Sequence, residues 1–235
     1  MRYATFNVLA DAYIGYGDYS RVEPELLRPG ARTQKLVQLV DSLEADVVGL
    51  QEVEEPLLDA FDKTGAWQTF WTKKTHGSQP DGCLTLVRPT ITVREFSELP
   101  FHDESGHVMQ LLKIGRTAFV NTHIKWAPDG SVSHAGVLQT TELLGQINKE
   151  RSAIIVGDCN DRPGGPVRHL IEQAEFHNIC DGGPTALVDQ EPVALDLLAV
   201  RGLAARRVAR SFDIASIPNQ ECPSDHIPIV ADVEP

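Results

Sequence analysis

The segment DVVGLQEV at residues 46–53 restricts the fold more than any other part of the chain. Its apolar residues form a nearly continuous run, and the run ends in Gln51 and Glu52. A run of this kind suits a β-strand that is covered on both faces. A carboxylate directly after such a strand is costly to bury without a cation, so Glu52 is a candidate metal ligand. The structural alternative is an ion pair between Glu52 and a lysine.

Further strand segments are interspersed with segments whose apolar residues recur at helical spacing. We predict helices at residues 31–43, 56–63, 135–150 and 165–174. We predict strands at residues 3–9, 46–53, 82–88, 91–96, 108–114, 117–123, 153–157, 194–200, 205–214 and 227–233. Strands outnumber helices, which predicts two packed β-sheets flanked by helices.

The length of 235 residues and the hydrophobic content of 42% favour a single domain over residues 1–235. No repeat, low-complexity tract or linker divides the sequence. No segment resembles a signal peptide or a membrane-spanning run, so we expect a cytoplasmic monomer that has no membrane partner. The dispersed cysteines favour reduced thiols over disulfides or a zinc site.

The net charge of −12 bears on the choice of substrate. Long nucleic acids are normally held by a basic surface that displaces counterions from the phosphates, and this chain has no basic surplus. A local basic patch remains compatible with an acidic total, and its candidate residues are Lys73, Lys74, Lys125, Arg151, Arg162 and Arg168. The charge therefore disfavours extended duplex binding without excluding it.

Polar side chains stand where several predicted strands begin or end. They are Asn7, Glu52, His123, Asp158 and Asn160 after strands, Asp225 and His226 before a strand, and Asp196 at the start of one. These residue types suit a hard-metal site for phosphoryl chemistry. Individually, Asn7 could instead cap a turn, and Asp158 could make an Asx-turn.

The motifs that contain these residues resemble the endonuclease/exonuclease/phosphatase superfamily over nearly the whole chain. In order, they are TFNVLAD at 5–11, LQEVE at 50–54, NTH at 121–123, GDCND at 157–161, LDLLAV at 195–200 and SDHIPI at 224–229. The wording of NVLAD, QEVE and DGC (81–83) is most similar to the deadenylase, nocturnin and Angel branch. The resemblance implies an α/β fold of deoxyribonuclease type: a four-layer sandwich of two mainly antiparallel sheets between helices.

The resemblance also implies a metal-dependent hydrolase of phosphate esters. By analogy, Glu52 is the principal Mg²⁺ ligand, with Asn7 nearby and Asp225 supporting the metal side, and Mn²⁺ is a substitute ion. His226 is oriented by Asp196, and Asp158 orients the attacking water. The analogy leaves open whether His226 or Asp158 takes the proton of that water.

Substrate-binding roles follow in the same way. Asn160 and His123 are expected to donate hydrogen bonds to the phosphate. Trp126 follows the His123 strand end and is a candidate for stacking on a base, although a core or surface role is the more common one for tryptophan. His76 precedes the DGC motif in a loop and is a candidate substrate contact; the other histidines outside the motifs are interpreted as surface or locally hydrogen-bonded residues.

Three functions remain open at this point. The first is cleavage of phosphodiesters in RNA or in single-stranded nucleic acid ends, including 2′,3′-cyclic phosphate ends. The second is hydrolysis of a small phosphorylated molecule by the same catalytic residues. The third is an inactive binding module, which is disfavoured because the catalytic set is complete.

Overall fold

The computed structural model describes residues 1–76, 79–128, 134–180 and 182–234. The strands are β1 (Arg2–Asn7), β2 (Val47–Val53), β3 (Gln68–Lys73), β4 (Gly82–Val87), β5 (Val93–Pro100), β6 (Val108–Ile114), β7 (Thr117–His123), β8 (Ala153–Asp158), β9 (His177–Asn178), β10 (Ala186–Val188), β11 (Glu191–Val193), β12 (Asp196–Arg201), β13 (Ala204–Arg207) and β14 (Ile229–Glu234). The first sheet has the strand order β13–β14–β1–β2–β4–β3, the second has the order β5–β6–β7–β8–β12–β9, and β10–β11 form a hairpin.

The helices lie on the outer faces of the two sheets. They are α1 (Thr33–Ser42), α2 (Glu55–Thr64), α3 (Ala135–Gln146) and α4 (Pro166–Gln173), with short 3₁₀ turns at Asp11–Tyr13 and Ile214–Ser216. Leu36 of α1 and Phe61 of α2 pack on the first sheet. Leu143 of α3 and Ile171 of α4 pack on the second sheet. The predicted four-layer arrangement is therefore confirmed. Within the described ranges, no helix has the length and apolar content needed to cross a bilayer.

The central strands alternate between two cores, as strand geometry requires. Ile154 of β8 joins the layer between the sheets, whereas Ile155 faces α3 and α4. Val47 and Val48 of β2 divide in the same way between the inner core and the core under α1 and α2. Because both faces are covered, the sequence of a central strand reads as a continuous apolar run.

Each sheet contains one parallel pair in an otherwise antiparallel ladder. β1 runs parallel to β2, and β7 runs parallel to β8. Parallel neighbours end at the same edge, so the carboxyl ends of these four strands define one edge of each sheet, called here the site edge. β14 is antiparallel to β1 and β12 is antiparallel to β8, so both of these strands begin at the site edge.

Several predicted elements differ from the structure. The predicted strand at 205–214 is wrong beyond Arg207, because Val208, Phe212 and Ile214 pack against the core of the first sheet from an irregular segment. The hairpin β10–β11 was not predicted. Its turn residues Asp189 and Gln190 have φ angles of 47° and 70°, the left-handed conformation of a tight hairpin turn, without the glycine that usually signals it.

Candidate active site

The site edge brings together residues that are far apart in the sequence. Asn7 and Glu52 lie at the ends of the parallel pair in the first sheet, and His123 and Asp158 lie opposite each other at the end of β7 and β8. Asp196 begins β12 directly opposite Asp158. The strand-end pattern in the sequence thus corresponds to one cleft between the two sheets.

Glu52 is aimed into this cleft by a β-bulge. The register of β2 against β4 shifts between Leu50 and Val53, and Glu52 has a φ of 59°. A left-handed conformation is strained for a residue other than glycine and is often found at functional sites. One carboxylate oxygen accepts from Asn7 Nδ2 at 2.9 Å, and the other accepts from the backbone N–H of Ala10 at 3.0 Å.

The charge of Glu52 is poorly compensated. Its side chain is 13% exposed, and within the described residues its one ion-pair contact is His123 Nε2 at 4.0 Å. Burial, followed by repulsion from Asp225, raises the pKa of Glu52 to about 7. The predicted alternative of a lysine partner is not realised, because Lys73 pairs with Glu55 and Lys74 pairs with Asp81.

Asn7 connects the two central carboxylates of the cleft. Its Nδ2 donates to Glu52 Oε1 at 2.9 Å and to Asp158 Oδ2 at 3.0 Å. Its oxygen accepts from the backbone N–H of Leu9 at 3.0 Å, which is the turn contact expected of an Asn after a strand. In this arrangement Asn7 holds the carboxylates together, and direct ligation of a metal would require its oxygen to face Glu52.

Asp158 is buried at the centre of the site. Its Oδ1 accepts from the backbone N–H of Asn160 at 2.8 Å, so the residue makes an Asx-turn and also faces the cleft. Burial raises the pKa of Asp158, the nearby His226 lowers it, and the net direction is upward. His226 Nε2 and His123 Nε2 both lie 3.7 Å from Asp158 Oδ2.

His226 and Asp196 form a buried pair that crosses from one sheet to the other. His226 Nδ1 lies 2.8 Å from Asp196 Oδ2, and both side chains are less than one tenth exposed. Burial alone would lower the pKa of His226, but the charge and hydrogen bond of Asp196, with Asp158 and Asp225, raise it well above its usual value. The ring is therefore fixed with Nε2 directed toward Asp158.

His123 and Asn160 form a second polar pair on the side of the second sheet. Asn160 Nδ2 lies 3.0 Å from His123 Nε2 and donates to the carbonyl of Ile124 at 2.9 Å. Burial, together with the positive charge of Lys74, lowers the pKa of His123 well below its usual value. A neutral imidazole and an amide are suited to hydrogen-bond a phosphate oxygen.

Asp225 is held beside the cleft by the hydroxyl group of Tyr19. Its Oδ2 accepts from Tyr19 Oη at 2.7 Å, and Ser224 Oγ lies 3.4 Å from its Oδ1. Ser224 Oγ also donates to the carbonyl of Asn7 at 2.7 Å, which joins the segment before β14 to the end of β1. Asp225 is thereby fixed on the Glu52 side of the site.

The donor set fits a divalent metal ion. Glu52, His123 and Asp158 offer ligand atoms that lie within 4.8 Å of one another, and so do Asp158, Asp196 and His226. Hard cations such as Mg²⁺ prefer carboxylate oxygens, and a buried carboxylate without a cationic partner is stabilised by such an ion. Glu52 meets both conditions.

The two remaining candidates differ in position. Trp126 is 63% exposed and lines a cavity of about 280 Å³ together with Asn160, Arg162 and Val188. His76 is exposed, and the backbone beside it is tied to Gly106 through the N–H of Thr75 at 3.0 Å. Among the described residues, no hydrogen bond joins the His76 side chain to the cleft. The structure thus brings Trp126 to the site but leaves His76 outside these contacts.

The comparisons with known proteins identify the family and the fold. The model of the Endonuclease/Exonuclease/phosphatase family matches residues 4–226. The chain belongs to this family. It is therefore a hydrolase that acts on phosphate esters, as the motifs predict.

Solved structures of similar fold superpose on nearly the whole of this chain. ANGEL2, a 2′,3′-cyclic phosphatase, superposes with a TM-score of 0.83 at 15% identity, covering 99% of this chain and 94% of that one. The Bacteroides vulgatus endonuclease/exonuclease/phosphatase gives 0.77 at 17% identity, covering 99% and 98%. The human Nocturnin catalytic domain gives 0.75 at 18% identity, covering 100% and 93%. At these identities the likeness is one of fold. No sequence among the curated proteins matches the chain.

Sequence reasoning about this family member missed several residues that hold the site together. Four of them belong to no sequence motif: Arg32, Tyr19, Thr185 and His107. Their roles become visible only through contacts that form in the folded chain. Arg168 was a candidate for a basic patch, but it is 5% exposed and binds backbone carbonyls. Lys74 was another, but it is buried against Asp81 at 2.8 Å. Both are therefore removed from the predicted patch.

Proposed function

We propose that this chain is a Mg²⁺-dependent phosphodiesterase that acts on the ends of RNA or of single-stranded nucleic acid, including 2′,3′-cyclic phosphate ends. The observation that carries the proposal is the cleft in which Glu52, Asp158 and the His226–Asp196 pair converge beside an open cavity lined by Trp126. Mn²⁺ is expected to replace Mg²⁺, because both ions favour oxygen ligands.

The metal side of the site is formed by the first sheet. Glu52 is the principal ligand, and Asp225 and Asn7 complete the polar surface around it. When bound, the ion supplies positive charge that stabilises the phosphate as negative charge develops on it. Asn7 and the Ala10 N–H keep the Glu52 carboxylate in one orientation before the ion arrives.

The phosphate side is formed by the second sheet. Asn160 Nδ2 and His123 Nε2 lie 3.0 Å apart, so a phosphate oxygen that enters between them would replace this contact and accept from the amide. The turn at Asn160, with a φ of 47°, directs this amide into the cleft. Preorganised donors of this type commonly contribute about 10²–10³ to the rate.

Proton exchange with the attacking water is assigned to His226 and Asp158 together. His226 Nε2 and Asp158 Oδ2 lie 3.7 Å apart, a separation that allows one water oxygen to contact both atoms. Asp196 keeps Nε2 of His226 directed at this position by binding Nδ1 at 2.8 Å. In the reaction, the water oxygen forms a bond to phosphorus, the bond between phosphorus and the leaving oxygen breaks, one proton of the water passes to this pair, and the leaving oxygen takes a proton from solvent to become the alcohol.

The surroundings of the cleft favour the end of a chain over its interior. On the Asn160 side, Trp126 and the exposed Arg162 offer an aromatic face and a positive charge. On the Glu52 side, a cavity of about 500 Å³ is lined by Glu52 and Glu54, whose charges oppose a second phosphate, while its Asp11 and Glu55 are paired with Arg32 and Lys73. ANGEL2 has been solved in complex with adenosine-2′,3′-vanadate, and its fold is that of this chain. A terminal nucleoside placed against Trp126 fits these observations.

The alternative is a small phosphorylated molecule. The net charge of −12 and the acidic cavity beside Glu52 favour this alternative over a long polymer. The two functions differ in how the reaction depends on substrate length. A terminal RNA activity should have a lower KM on an oligonucleotide than on the matching cyclic mononucleotide, whereas a small-molecule enzyme should prefer the mononucleotide.

The test is Mg²⁺-dependent hydrolysis of a panel of substrates by the wild type, Glu52→Gln and Glu55→Gln. The panel contains RNA ending in a 2′,3′-cyclic phosphate, poly(A), single-stranded DNA, an abasic duplex, adenosine 2′,3′-cyclic phosphate and small phosphomonoesters. Glu55 is exposed and paired with Lys73, so its variant controls for a simple loss of charge. Activity on RNA or single-stranded ends that disappears only in Glu52→Gln supports the proposal. Activity confined to the small molecules, or equal activity in Glu52→Gln, contradicts it.

A cytoplasmic monomer formed by one domain over residues 1–235 also remains our proposal. The single domain is supported by the pair of packed sheets, because the first sheet contains both the first and the last strand described. Light scattering coupled to size exclusion tests the monomeric state, and a mass near twice 25.8 kDa would contradict it. Localisation of a tagged chain tests the compartment.

A further inference from the structure

Two arginines are buried close to the site edge, one behind each sheet. Arg32 is 2% exposed and precedes α1, and Arg168 is 5% exposed and lies in α4. Burying a guanidinium is costly unless its N–H groups are hydrogen-bonded. In both cases the partners are mainly backbone carbonyls of the segments that carry the site residues.

Arg32 joins two segments of the first sheet. Its Nη1 donates to the carbonyl of Val8 at 2.8 Å and to the carbonyl of Pro223 at 3.0 Å. Its Nη2 donates to the carbonyl of Leu9 and to Asp11. Val8 directly follows Asn7, and Pro223 precedes Asp225 by two positions. The guanidinium therefore contacts both segments that carry first-sheet residues of the site, the one after Asn7 and the one before Asp225.

The contacts of Arg32 lie beyond the last paired residues of β1 and β14. The pairing of β1 with β14 stops at Thr5 opposite Ile229, so Asn7 and the segment from Pro223 to His226 have no ladder between them. The carbonyls of the buried residues Val8 and Pro223 take no part in this ladder and need another donor. Arg32 and the hydroxyl of Ser224, which donates to the carbonyl of Asn7 at 2.7 Å, take over the role of the ladder.

Arg168 has the equivalent position in the second sheet. Its Nε donates to the carbonyl of Asp161 at 2.9 Å, and its Nη2 donates to the carbonyls of Ala194 and Asp196 at 3.1 Å each. The pairing of β8 with β12 stops at Asp158 opposite Asp196. Arg168 therefore joins the segment after Asn160 to the segment that carries Asp196.

We propose that Arg32 and Arg168 are positioning residues with separate tasks in the reaction. Arg32 sets the distance between Asn7 and Asp225 and so sets the affinity for the metal ion. Arg168 sets the distance between Asn160 and Asp196 and so sets the rate on bound substrate. The inference rests on the proposed function, because it assigns the metal to the first sheet and the phosphate to the second.

Lysine cannot replace either arginine. Each guanidinium contacts carbonyls on two separate chain segments, which requires several N–H groups in a planar fork. A lysine ammonium is a single nitrogen with three N–H groups, so it cannot make the four contacts that Arg32 divides between Nη1 and Nη2, nor reach the separate partners of Nε and Nη2 in Arg168. An Arg→Lys change therefore keeps the charge and most of the packing, but it weakens the connection between the segments.

The experiment compares Arg32→Lys, Arg168→Lys and Arg201→Lys as full-length chains. Arg201 is the matched control, because it also binds backbone carbonyls, those of Ala174, Ile147 and Glu150, but it lies at the other end of β12. Mn²⁺ affinity is measured by electron paramagnetic resonance without substrate. kcat and KM are measured at saturating Mg²⁺, and Tm is measured for each variant.

We expect Arg32→Lys to weaken Mn²⁺ binding about tenfold, as is common for residues that orient metal ligands. We expect Arg168→Lys to bind Mn²⁺ within about twofold of the wild type, with kcat about tenfold lower and KM little changed. Arg201→Lys should lower Tm and leave both quantities unchanged. Wild-type Mn²⁺ affinity in Arg32→Lys, unchanged kcat in Arg168→Lys, or equal effects in all three variants would overturn the inference.

Milder variants cover the case in which an arginine variant does not fold. Ser224→Ala removes the hydroxyl that binds the carbonyl of Asn7, and Thr185→Ala removes the hydroxyl that accepts from the N–H of Asp196 at 3.0 Å. Ser224→Ala should weaken Mn²⁺ binding, and Thr185→Ala should lower kcat alone; the reverse pattern, or no effect, contradicts the inference. Failure of the proposed function has a different signature: Glu52→Gln would then bind Mn²⁺ as tightly as the wild type.

Discussion

At the site edge of the first sheet, the polar side chains are Asn7, Glu52, Asp225 and His226; at that of the second sheet, they are His123, Asp158, Asn160 and Asp196. The topology is the same in both sheets: a parallel pair ends at the site edge and an antiparallel neighbour begins there. The chemistry differs. Among the described residues, the largely enclosed Glu52 has no strong cation partner, whereas Asp158 accepts two N–H groups and lies between two imidazoles.

This difference shows how one arrangement of strands can supply two functions. An uncompensated carboxylate attracts a cation, and a hydrogen-bonded carboxylate beside histidines can orient water and a phosphate. The His226–Asp196 pair joins one residue from each sheet, so the complete site exists only when the sheets are packed together. The following predictions test this division, from the largest expected effect to the smallest.

Replacing the uncompensated carboxylate should have the largest effect. Glu52→Gln keeps the shape of the side chain but removes the charge that holds the ion, so we expect kcat/KM to fall by on the order of 10³ or more. The measurement is steady-state hydrolysis over a Mg²⁺ titration, with Glu55→Gln as the exposed control. A Glu52→Gln enzyme with wild-type kcat/KM and an unchanged Mg²⁺ requirement would show that the division between the sheets is drawn in the wrong place.

Breaking the pair that spans the sheets should have the next largest effect. His226→Gln should lower kcat by about 10³, and Asp196→Asn should lower it by a similar factor, because Asp196 fixes the orientation of the ring. Since the two residues act as a unit, the double variant should be little worse than either single variant. Additive losses in this double-mutant cycle would mean that Asp196 acts independently of His226.

On the second sheet, loss of a single donor should have a smaller effect. Asn160→Ala and His123→Ala should each lower kcat by about 10²–10³, and Mn²⁺ affinity should change little. His102→Ala is the control, because His102 is exposed and paired with Glu142. A loss of Mn²⁺ affinity in Asn160→Ala comparable to that in Glu52→Gln would mean that residues of both sheets contribute to metal binding.

The contact between the sheets depends on a buried polar network close to the site. Gln51 Nε2 donates to Asn121 Oδ1 at 2.7 Å, and Asn121 Nδ2 lies 3.1 Å from Gln110 Oε1. Gln51→Leu leaves Asn121 without this partner, so we expect the free energy of unfolding to fall by about 1–3 kcal/mol. Urea denaturation measures this change, and Gln68→Leu, at a half-buried position of β3, serves as the control. An equal loss of unfolding free energy in both variants would show that the network stabilises the fold no more than a glutamine at a half-buried position does.

The smallest expected effect concerns a neutral histidine of the second sheet. His107 packs edge-on against His123, and burial, with the charges of Lys74 and Lys125 outweighing that of Asp103, lowers the pKa of His107 to about 3. Between this pKa and the usual value of about 6.5, the unfolded chain binds a proton that the folded chain does not. The contribution of neutral His107 to the stability of the fold is therefore complete above about pH 6.5 and decreases as the pH falls.

The corresponding measurement is urea denaturation at pH 7 and pH 5. His107 should account for about 1–2 kcal/mol of the loss of stability between these two values. His107→Gln has no ionisable ring, so its stability should depend less on pH by this amount. An unchanged pH dependence in the variant would mean that His107 is protonated in the folded chain.

Much of the site was predictable because strand ends are visible in the sequence. Glu52, His123 and Asp158 each follow an apolar run, and the order of the motifs indicated one family and its fold. His76 shows the limit of this reasoning, since its place in a loop near a motif did not bring its side chain into contact with the cleft. The hairpin β10–β11 shows another limit: its Leu187 N–H donates to the carbonyl of Asp225 at 2.7 Å, and this support has no local signature.

The sequence by itself determined where strands stop, which chemical groups stand there, and the family to which the chain belongs. Only the tertiary structure decided which of these groups meet, and which unmarked residues hold them in place. Arg32 and Pro223 are separated by 191 positions, yet their contact closes one half of the site. The physical reason is that apolar periodicity reports the burial of a strand's own faces, whereas the partner of a buried N–H group or charge depends on how distant strands are packed.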